Sequence, residues 1–282
     1  MVVTSDVLVD GVHFRRDWSA AYDVGRKAAA QNLADVVAMG ARPTAIVVGL
    51  AAPPDLTLEW TDGLLDGLQD ECGVVAAGLA GGDVVRSPTL MVSVTALGDL
   101  QGREPVTRAG AQPGDVVVVA GQLGSAAAGL ELLRAGRRQP RNLVDAHRRP
   151  QVPYDAGMRL ATAGATAMID VSDGLVADLG HIAVASNVRI ELASDDLPLP
   201  PELVDAALLL GVDPRSWVAA GGEDHAFAAT IPDTAALRAM ALIADLDEPV
   251  PFAQVGRVVA GDAGVVFLDE PPPSVLGHDH FA

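Results

Sequence analysis

Short apolar segments that each give way to a helical pattern are the feature that most restricts the fold of this chain. Two of them, 45–52 and 116–120, are near-continuous runs of small and branched apolar residues. Strands of this composition are typical of sheets that are covered on both faces. Because such strands alternate with helical patterns along the whole chain, the sequence predicts an α/β (α+β) fold.

The same patterns place individual elements and a domain boundary. We expect strands at 2–8, 45–52, 74–79, 90–97 and 116–120, helices at 22–39, 56–71 and 126–135, and a polar surface loop at 136–150. The turn-rich stretch 98–105 predicts the junction between an N-terminal domain, 1–104, and a C-terminal domain, 105–282. A chain of 282 residues is long enough for each of these domains to bury its own core.

Charge and composition restrict the possible partners. The net charge of -18 disfavours binding to nucleic acid or to an anionic membrane, because both need a basic face. A single cysteine, Cys72, allows no intrachain disulfide, which favours a reducing compartment. The chain shows neither a signal peptide nor an apolar stretch of roughly 20 residues. We therefore expect a cytoplasmic protein.

Acidic residues recur beside glycine or hydroxyl residues, mostly where an apolar run ends. The clusters are Thr4-Ser5-Asp6, Asn32-Leu33-Ala34-Asp35, Gly81-Gly82-Asp83, Asp170-Val171-Ser172-Asp173-Gly174 and Gly221-Gly222-Glu223-Asp224. Mg²⁺ prefers carboxylate ligands and bridges substrate phosphates, so several such clusters in one chain favour a magnesium-dependent polyphosphate site. Backbone N–H groups at the helix start after Asp170 also favour anions.

Helix caps and turns are the alternative explanation for these acidic residues. Asp173 in particular fits the cap of the following helix. Asp35 and Asp6 fit that explanation less well, because they fall inside a predicted helix and a predicted strand, where aspartate is disfavoured. We therefore place five carboxylates around the phosphates: Asp6, Asp35, Asp83, Asp170 and Asp173.

Other catalytic patterns are incomplete. Gly81-Gly82-Asp83 lacks the lysine of a P-loop, and Gly121-Gln122-Leu123-Gly124-Ser125 lacks the third glycine of a dinucleotide-binding turn. Ser172 has no nucleophile elbow and no assignable histidine and aspartate partners. The sequence therefore assigns no residue to nucleophilic catalysis.

Histidine and arginine positions leave alternatives open. His13 follows a strand at a glycine turn, where it either meets a ligand phosphate or packs as a structural histidine. Arg108 lies at the domain junction, where it either reaches a nucleotide phosphate or is a surface residue. His225 is expected to pack in the core, and His147 and His181 carry no functional signal.

The acidic motifs together resemble the thiamine-monophosphate kinase family. Thr4-Ser5-Asp6, Gly11-Val12-His13-Phe14 and the segment 31–43 begin the match, and the motifs at 81–83, 169–175 and 221–225 continue it in the same order. Two of these blocks, in 31–43 and 172–174, are shared with the superfamily of aminoimidazole ribonucleotide synthetase and selenophosphate synthetase. Gly-Val-His-Phe and Gly-Gly-Glu-Asp are more particular to the thiamine enzymes.

The resemblance implies an activity and an architecture. It implies transfer of a phosphoryl group from ATP to thiamine monophosphate with Mg²⁺, giving ADP and thiamine diphosphate. The family has an N-terminal domain with a mixed sheet, through which two copies form a homodimer, and a C-terminal α/β domain. No general base is implied, because the accepting phosphate oxygen is already ionised at pH 7.

The resemblance also implies roles for individual residues. The magnesium ligands would be Thr4, Ser5, Asp6, Asp35, Asp83, Asp170 and Asp173. The contacts to ATP would be Gly82, Asp83, Arg108 and Ser172. The contacts to thiamine monophosphate would be His13, Glu223 and a residue near the C-terminus that covers the thiamine ring, for which Phe281 is taken and His278 is the alternative.

A departure from the family pattern leaves rival functions open. Family members carry a Gly-Asp-Asp segment before the first strand, and we expect that this chain lacks it. One rival is therefore an inactive homologue that still binds nucleotide. The other is an ATP-dependent synthetase of the same superfamily with a different substrate, which Gly-Val-His-Phe and Gly-Gly-Glu-Asp disfavour.

Overall fold

The structure is a computed structural model that describes residues 1–269 and Gly277. It contains two compact units. The first comprises Met1–Val37, Ala41–Glu104 and Arg148–Pro150, and the second comprises the rest of the described chain. Across the described residues, no helix combines the length and the apolar character needed to cross a membrane.

The first unit is built on a four-stranded mixed sheet. Its strands are β1 (Val2–Val9), β2 (Arg42–Ala52), β3 (Gly78–Arg86) and β4 (Met91–Asp99). They are arranged in the order β1-β4-β2-β3. β4 is antiparallel to both of its neighbours, whereas β3 lies parallel to β2. The helices of this unit are α1 (Ala21–Ala38) and α2 (Leu58–Val74).

The two faces of this sheet differ in burial. Leu8, Val92, Val94 and Ala96 are buried on the face that α1 contacts. On the other face, β1 and β2 expose valines that alternate with the buried positions, including Val47 at 41% exposure. The prediction that 45–52 is covered on both faces is therefore wrong for a single copy of the chain.

Helices α1 and α2 touch through two glycines. A Cβ added at Gly25 would lie 2.2 Å from the carbonyl oxygen of Leu64, and one added at Gly67 would lie 2.1 Å from that of Tyr22. Neither distance is possible for a real side chain. Glycine at these two positions therefore lets the helix backbones meet directly.

The second unit contains a six-stranded mixed sheet in the order β10-β7-β9-β5-β8-β6. Its strands are β5 (Asp115–Ala120), β6 (Ala167–Asp170), β7 (Arg189–Leu192), β8 (Phe227–Pro232), β9 (Phe252–Val259) and β10 (Gly264–Phe267). Every residue of β5 is buried, as predicted for 116–120. The sheet pairs antiparallel throughout except between β7 and β10.

The second unit also contains seven α-helices among the described residues. They are α3 (Ser125–Arg134), α4 (Arg141–Arg148), α5 (Tyr154–Ala163), α6 (Leu175–Ser186), α7 (Pro201–Leu210), α8 (Pro214–Ala220) and α9 (Asp233–Ala244). Two mixed sheets with helices confirm the predicted fold class.

Two predicted elements are wrong. The strand predicted at 74–79 lies further along the chain, because α2 continues to Val74 and the glycine-rich segment itself forms β3. The loop predicted at 136–150 contains α4, which buries Leu143, Val144 and His147 and so has a core-facing side that its polar composition concealed. The other predicted elements agree with the structure to within a few residues.

The contact between α1 and α2 gives a stability prediction. Gly67→Ala will lower the free energy of unfolding by about 1–3 kcal/mol, because the added methyl group forces two helix backbones apart. Gly73→Ala on the same helix is the matched control, since nothing lies within 4 Å of its Cβ position. That variant will change stability by no more than about 1 kcal/mol. Urea unfolding followed by far-ultraviolet circular dichroism measures both, and equal effects would contradict the packing argument.

Candidate functional site

In the first unit, β1 and α1 are joined at the acidic residues. The Thr4 hydroxyl donates to Oδ2 of Asp35 over 2.7 Å, and the backbone N–H of Asp6 donates to Oδ1 of Asn32 over 3.0 Å. Asn32 is fully buried and donates in turn to the carbonyl of Ala28. The sequence-predicted residues Thr4 and Asp35 are therefore in direct contact, and Asn32 fixes the strand beside them.

Ser5 lies on the opposite face of the strand. Its hydroxyl is 3.1 Å from the carbonyl oxygen of Val94 and 3.0 Å from the hydroxyl of Thr95. Side chains alternate between the two faces of a strand, so the hydroxyls of Thr4 and Ser5 point to opposite sides. The structure does not bring the Ser5 side chain to the contact between Thr4 and Asp35.

Gly82 and Asp83 lie within β3 instead of in a loop after a strand. The register across the sheet aligns Gly82 with Val48, Val94 and Asp6 in one row, while Asp83 lies in the next row, opposite Gly49. A Cβ at Gly82 would lie 2.0 Å from the Val48 carbonyl oxygen, so only glycine fits there. Asp83 is exposed, and its Oδ1 accepts from the N–H of Val84.

The loop after β1 favours one tautomer of the His13 ring. Nδ1 of His13 accepts the backbone N–H of Val9 over 3.1 Å. Because Nδ1 is an acceptor, the neutral imidazole carries its proton on Nε2, which is a donor. The loop is anchored from α1, where the buried Lys27 donates to the carbonyl of His13 over 3.0 Å.

In the second unit, the acidic motif forms the turn between β6 and α6. One carboxylate oxygen, Oδ2 of Asp178, accepts the backbone N–H groups of Ser172, Asp173 and Gly174 at 3.0, 3.0 and 3.1 Å. Burial, followed by the negative charge of Asp170, raises the pKa of Asp178 to about 7 against the opposing effect of its N–H donors. Asp173 is therefore not the helix cap, because Asp178 supplies the acceptor.

A second turn, 221–225, pairs with the first through its backbone. The N–H of Glu223 donates to the carbonyl of Ser172 over 2.7 Å, and the N–H of His225 donates to that of Val171 over 2.8 Å. Glu223 and His225 both have positive φ, at 67° and 52°. Such values are uncommon for residues other than glycine and concentrate at functional sites.

His225 contacts a predicted metal ligand. Its Nδ1 lies 3.0 Å from Oδ2 of Asp170, and both side chains are buried. The expectation that His225 only packs in the core is incomplete, because its ring also fixes the Asp170 carboxylate. His147 is buried beside the same turn, with its Nδ1 3.1 Å from Oε2 of Glu223.

Asp224 lies between Glu223 and His225 in the sequence, and its side chain faces the start of α3. Its carboxylate oxygens accept the N–H groups of Gly124 and Ala126 at 2.5 and 2.9 Å. Burial raises the pKa of Asp224 to about 7, although both N–H donors act in the opposite direction. The residue therefore ties the turn at 221–225 to the helix that follows β5.

Arg108 is exposed, and its carbonyl oxygen accepts the hydroxyl of Ser186 over 2.8 Å. Phe281 and His278 lie outside the residues that the structure describes. Ligand contacts by these three residues therefore stay predictions.

Among the described residues, two carboxylates and a histidine lie close together at the start of α6. Ligand atoms of Asp173, Asp178 and His181 all lie within 4.8 Å of one another. The Asp173 carboxylate is the kind of oxygen donor that suits a hard divalent cation such as Mg²⁺, whereas Oδ2 of Asp178 already accepts three backbone N–H groups. The residues around Thr4 and Asp35 in the first unit offer the same kind of oxygen donors.

Sequence reasoning missed three residues of this site: Asp178, Asp224 and His147. Asp178 carried a weak signal, since an acidic residue in the first turn of a helix is favoured there. The partners of Asp224 are about 100 residues away in the chain, so local pattern gave no indication of them. His147 lies on the helix that was predicted to be a loop.

Comparison with known proteins covers both units. The description "AIR synthase related protein, N-terminal domain" matches residues 1–100, and "AIR synthase related protein, C-terminal domain" matches residues 112–269. The thiamine-monophosphate kinase of Mycobacterium tuberculosis (strain ATCC 25618 / H37Rv) is 48% identical over 283 residues, which cover 99% of this chain and 80% of that protein.

Two solved structures are also similar. The thiamine-monophosphate kinase of Stenotrophomonas maltophilia K279a has a TM-score of 0.86 and 36% identity, covering 96% of this chain and 85% of that one. AaThiL, solved in complex with AMPPCP and TMP, has a TM-score of 0.88 and 33% identity, covering 98% of this chain and 86% of that one.

The role of Asp224 gives a prediction on stability. Asp224→Ala will lower the free energy of unfolding by roughly 2–5 kcal/mol, because it leaves two buried N–H groups without an acceptor. Asp233→Ala, an exposed acidic residue in the first turn of α9, is the control and will change stability by no more than about 1 kcal/mol. Urea unfolding at pH 8 measures both, and a loss for Asp224→Ala no larger than that of the control would contradict this role.

Proposed function

The chain belongs to the thiamine-monophosphate kinase family, and we propose that it transfers the γ-phosphoryl group of ATP to thiamine monophosphate, producing ADP and thiamine diphosphate. The observation that carries this proposal is the 48% identity over 99% of the chain to a thiamine-monophosphate kinase. A similar protein of known structure has been solved with AMPPCP and TMP, which agrees with an ATP-dependent reaction.

We propose Mg²⁺ as the metal of the reaction, held by Thr4, Ser5, Asp6, Asp35, Asp83, Asp170 and Asp173. Support comes from the chemistry of the donors, which are oxygens from carboxylates and hydroxyls, and from the contact between Thr4 and Asp35. When bound, Mg²⁺ neutralises phosphate charge and so lowers the repulsion between two polyanionic substrates. Ser5 and Asp83 have the least support, because the Ser5 hydroxyl lies on the other face of β1 and Asp83 falls in the same row as Val7, on that same open face.

The remaining predicted residues contact the substrates in this proposal. Gly82, Asp83, Arg108 and Ser172 are assigned to ATP, and His13, Glu223 and Phe281 are assigned to thiamine monophosphate. The donor on Nε2 of His13 suits an anionic or hydroxyl acceptor. The hydrogen bond from Glu223 to the Ser172 carbonyl holds a residue assigned to one substrate beside a residue assigned to the other.

Catalysis in this proposal is positioning and charge neutralisation. The accepting group is a phosphate oxygen that is already ionised at pH 7, so no side chain has to remove a proton. What the chain must provide is an in-line approach of two substrates that repel each other. The backbone pairing of the turns 171–174 and 221–225 supports such positioning, because it fixes Ser172 and Glu223 relative to each other.

The two rival functions make different predictions. An ATP-dependent synthetase of the same superfamily would not favour thiamine monophosphate over other acceptors. An inactive homologue would bind nucleotide without turnover. The matches to thiamine-monophosphate kinases over nearly the whole chain favour the kinase over both rivals.

The proposed assembly is a homodimer formed through the open face of the first sheet. Val3, Val7, Val47 and Val85 are all more than 40% exposed and share that face, by strand alternation and register. Burying such an apolar face against a second copy is favourable. We place the protein in the cytoplasm, where ATP is available and where its single buried thiol, Cys72, stays reduced.

The kinase proposal predicts both substrate preference and the effect of removing ligands. The chain will form thiamine diphosphate from thiamine monophosphate with ATP and Mg²⁺, and it will not phosphorylate unphosphorylated thiamine at a comparable rate. Asp35→Ala and Asp173→Ala will each lower turnover by about 100-fold or more, because each removes a carboxylate assigned to hold the Mg²⁺ whose positive charge would offset phosphate repulsion.

Two exposed acidic residues provide controls for this assay, one in each unit. Asp55→Ala and Asp205→Ala will keep turnover within about twofold of the unchanged protein, in keeping with the small effects of surface substitutions. Chromatographic separation of the thiamine phosphates measures product. Full turnover by Asp35→Ala and Asp173→Ala would contradict the assignment of the metal ligands, whereas equal rates with unrelated acceptors would contradict the proposed substrate.

The dimer proposal is tested by sedimentation velocity. The unchanged chain will sediment at twice the mass of one chain, and Val7→Lys will sediment as a monomer, because a charge cannot be buried in an apolar interface without a partner. Leu208→Lys is the control, since Leu208 is 77% exposed on α7 in the second unit. A Val7→Lys protein that remains dimeric would show that another surface forms the contact.

A further inference from the structure

The turn 172–174 has the geometry of an anion site that is already filled. Three successive backbone N–H groups, from Ser172, Asp173 and Gly174, converge on Oδ2 of Asp178 at 3.0–3.1 Å. N–H groups that converge at a helix start commonly bind phosphate or another anion. Here the anion is a side chain of the same helix, and it is 2% exposed.

The internal carboxylate changes which ligand the turn can accept. Since all three N–H groups already donate to Asp178, they are not available to a substrate phosphate. The backbone of the turn is used by Asp178, while the side chains of Ser172 and Asp173 remain partly exposed. The turn therefore presents side-chain oxygens, which suit a cation, instead of backbone donors, which suit an anion.

Neighbouring contacts leave the turn little freedom. Gly174 has φ +124°, and a Cβ at this position would lie 2.8 Å from the backbone of Ala220. The carbonyl of Ser172 accepts the N–H of Glu223. With its N–H groups held by Asp178 and this carbonyl held by Glu223, the turn is fixed on both sides.

We propose that Asp178 is a positioning residue for phosphoryl transfer: it fills the anion site of the turn and thereby holds Asp173 in the geometry that binds the cation and Ser172 in the geometry that contacts ATP. This inference rests on the proposed function, in which Asp173 is a magnesium ligand. Asp178 acts through the backbone, so what matters is an acceptor oxygen at its position and not its charge.

Two substitutions of Asp178 separate the effect of its acceptor oxygen from the effect of its charge. Asp178→Asn keeps an acceptor oxygen of the same reach and removes the negative charge, whereas Asp178→Ala removes the acceptor. Asp115→Ala is the matched control, because Asp115 is also a buried carboxylate that accepts a backbone N–H, from Gln112, and a hydroxyl, from Thr166, outside the turn.

The first readout is the Mg²⁺ concentration for half-maximal turnover. Asp178→Ala will raise it by about tenfold or more, as is typical when a residue that orients a metal ligand is lost. Asp178→Asn and Asp115→Ala will stay within about threefold of the unchanged protein. A rise of tenfold or more for Asp178→Asn would overturn the proposal, because it would mean that the charge of Asp178 acts directly on the metal. The comparison of Asp178→Asn with the unchanged protein can be made even if Asp178→Ala does not fold.

The second readout does not depend on activity. Hydrogen–deuterium exchange of the amides of Ser172, Asp173 and Gly174 will be at least about tenfold faster in Asp178→Ala than in Asp115→Ala, and it will remain slow in Asp178→Asn. Unchanged protection of these amides in Asp178→Ala would overturn the proposal. If the unchanged chain forms no thiamine diphosphate, the proposed function fails, while the exchange measurement still decides whether Asp178 holds the turn.

Discussion

Buried backbone N–H groups must find acceptors, and in the second unit two internal carboxylates meet that need at the points where the chemistry is expected. Asp178 accepts three N–H groups at the start of α6, and Asp224 accepts two at the start of α3. An acceptor missing at either place would leave several donors unpaired in a buried environment. These two residues fix the turns that carry Ser172 and Glu223.

In the first unit, a neutral amide side chain accepts a backbone N–H group. Asn32, fully buried on α1, accepts the N–H of Asp6 and so holds the first strand against the helix. Thr4 donates to Asp35 across the same interface. In each unit, a buried side chain accepts the backbone N–H of a residue assigned to Mg²⁺: Asn32 accepts that of Asp6, and Asp178 accepts that of Asp173. Loss of Asn32 or Asp178 is therefore expected to disturb the neighbouring metal ligand.

Much of this arrangement could be predicted from the sequence, because short acidic motifs after apolar runs are local features. The fold class and most elements followed from periodicity, and the family followed from the order of the motifs. The positions of β3 and α4 did not, since a glycine-rich strand and a polar helix both lack the expected patterns. The partners of Asp224 and of Glu223 lie far away in the chain, where no local signal reveals them. The exposure of one face of β2 was also not predicted. An apolar run indicates that a strand is buried, but not whether residues of the same chain or of a second copy bury it.

The proposed reaction moves one phosphoryl group from ATP to thiamine monophosphate. Phosphorus-31 nuclear magnetic resonance of the purified chain with ATP, thiamine monophosphate and Mg²⁺ tests it directly. The diphosphate resonances of thiamine diphosphate and of ADP will grow in equal amounts while the thiamine monophosphate signal falls. Growth of ADP with inorganic phosphate, and an unchanged thiamine monophosphate signal, would contradict it.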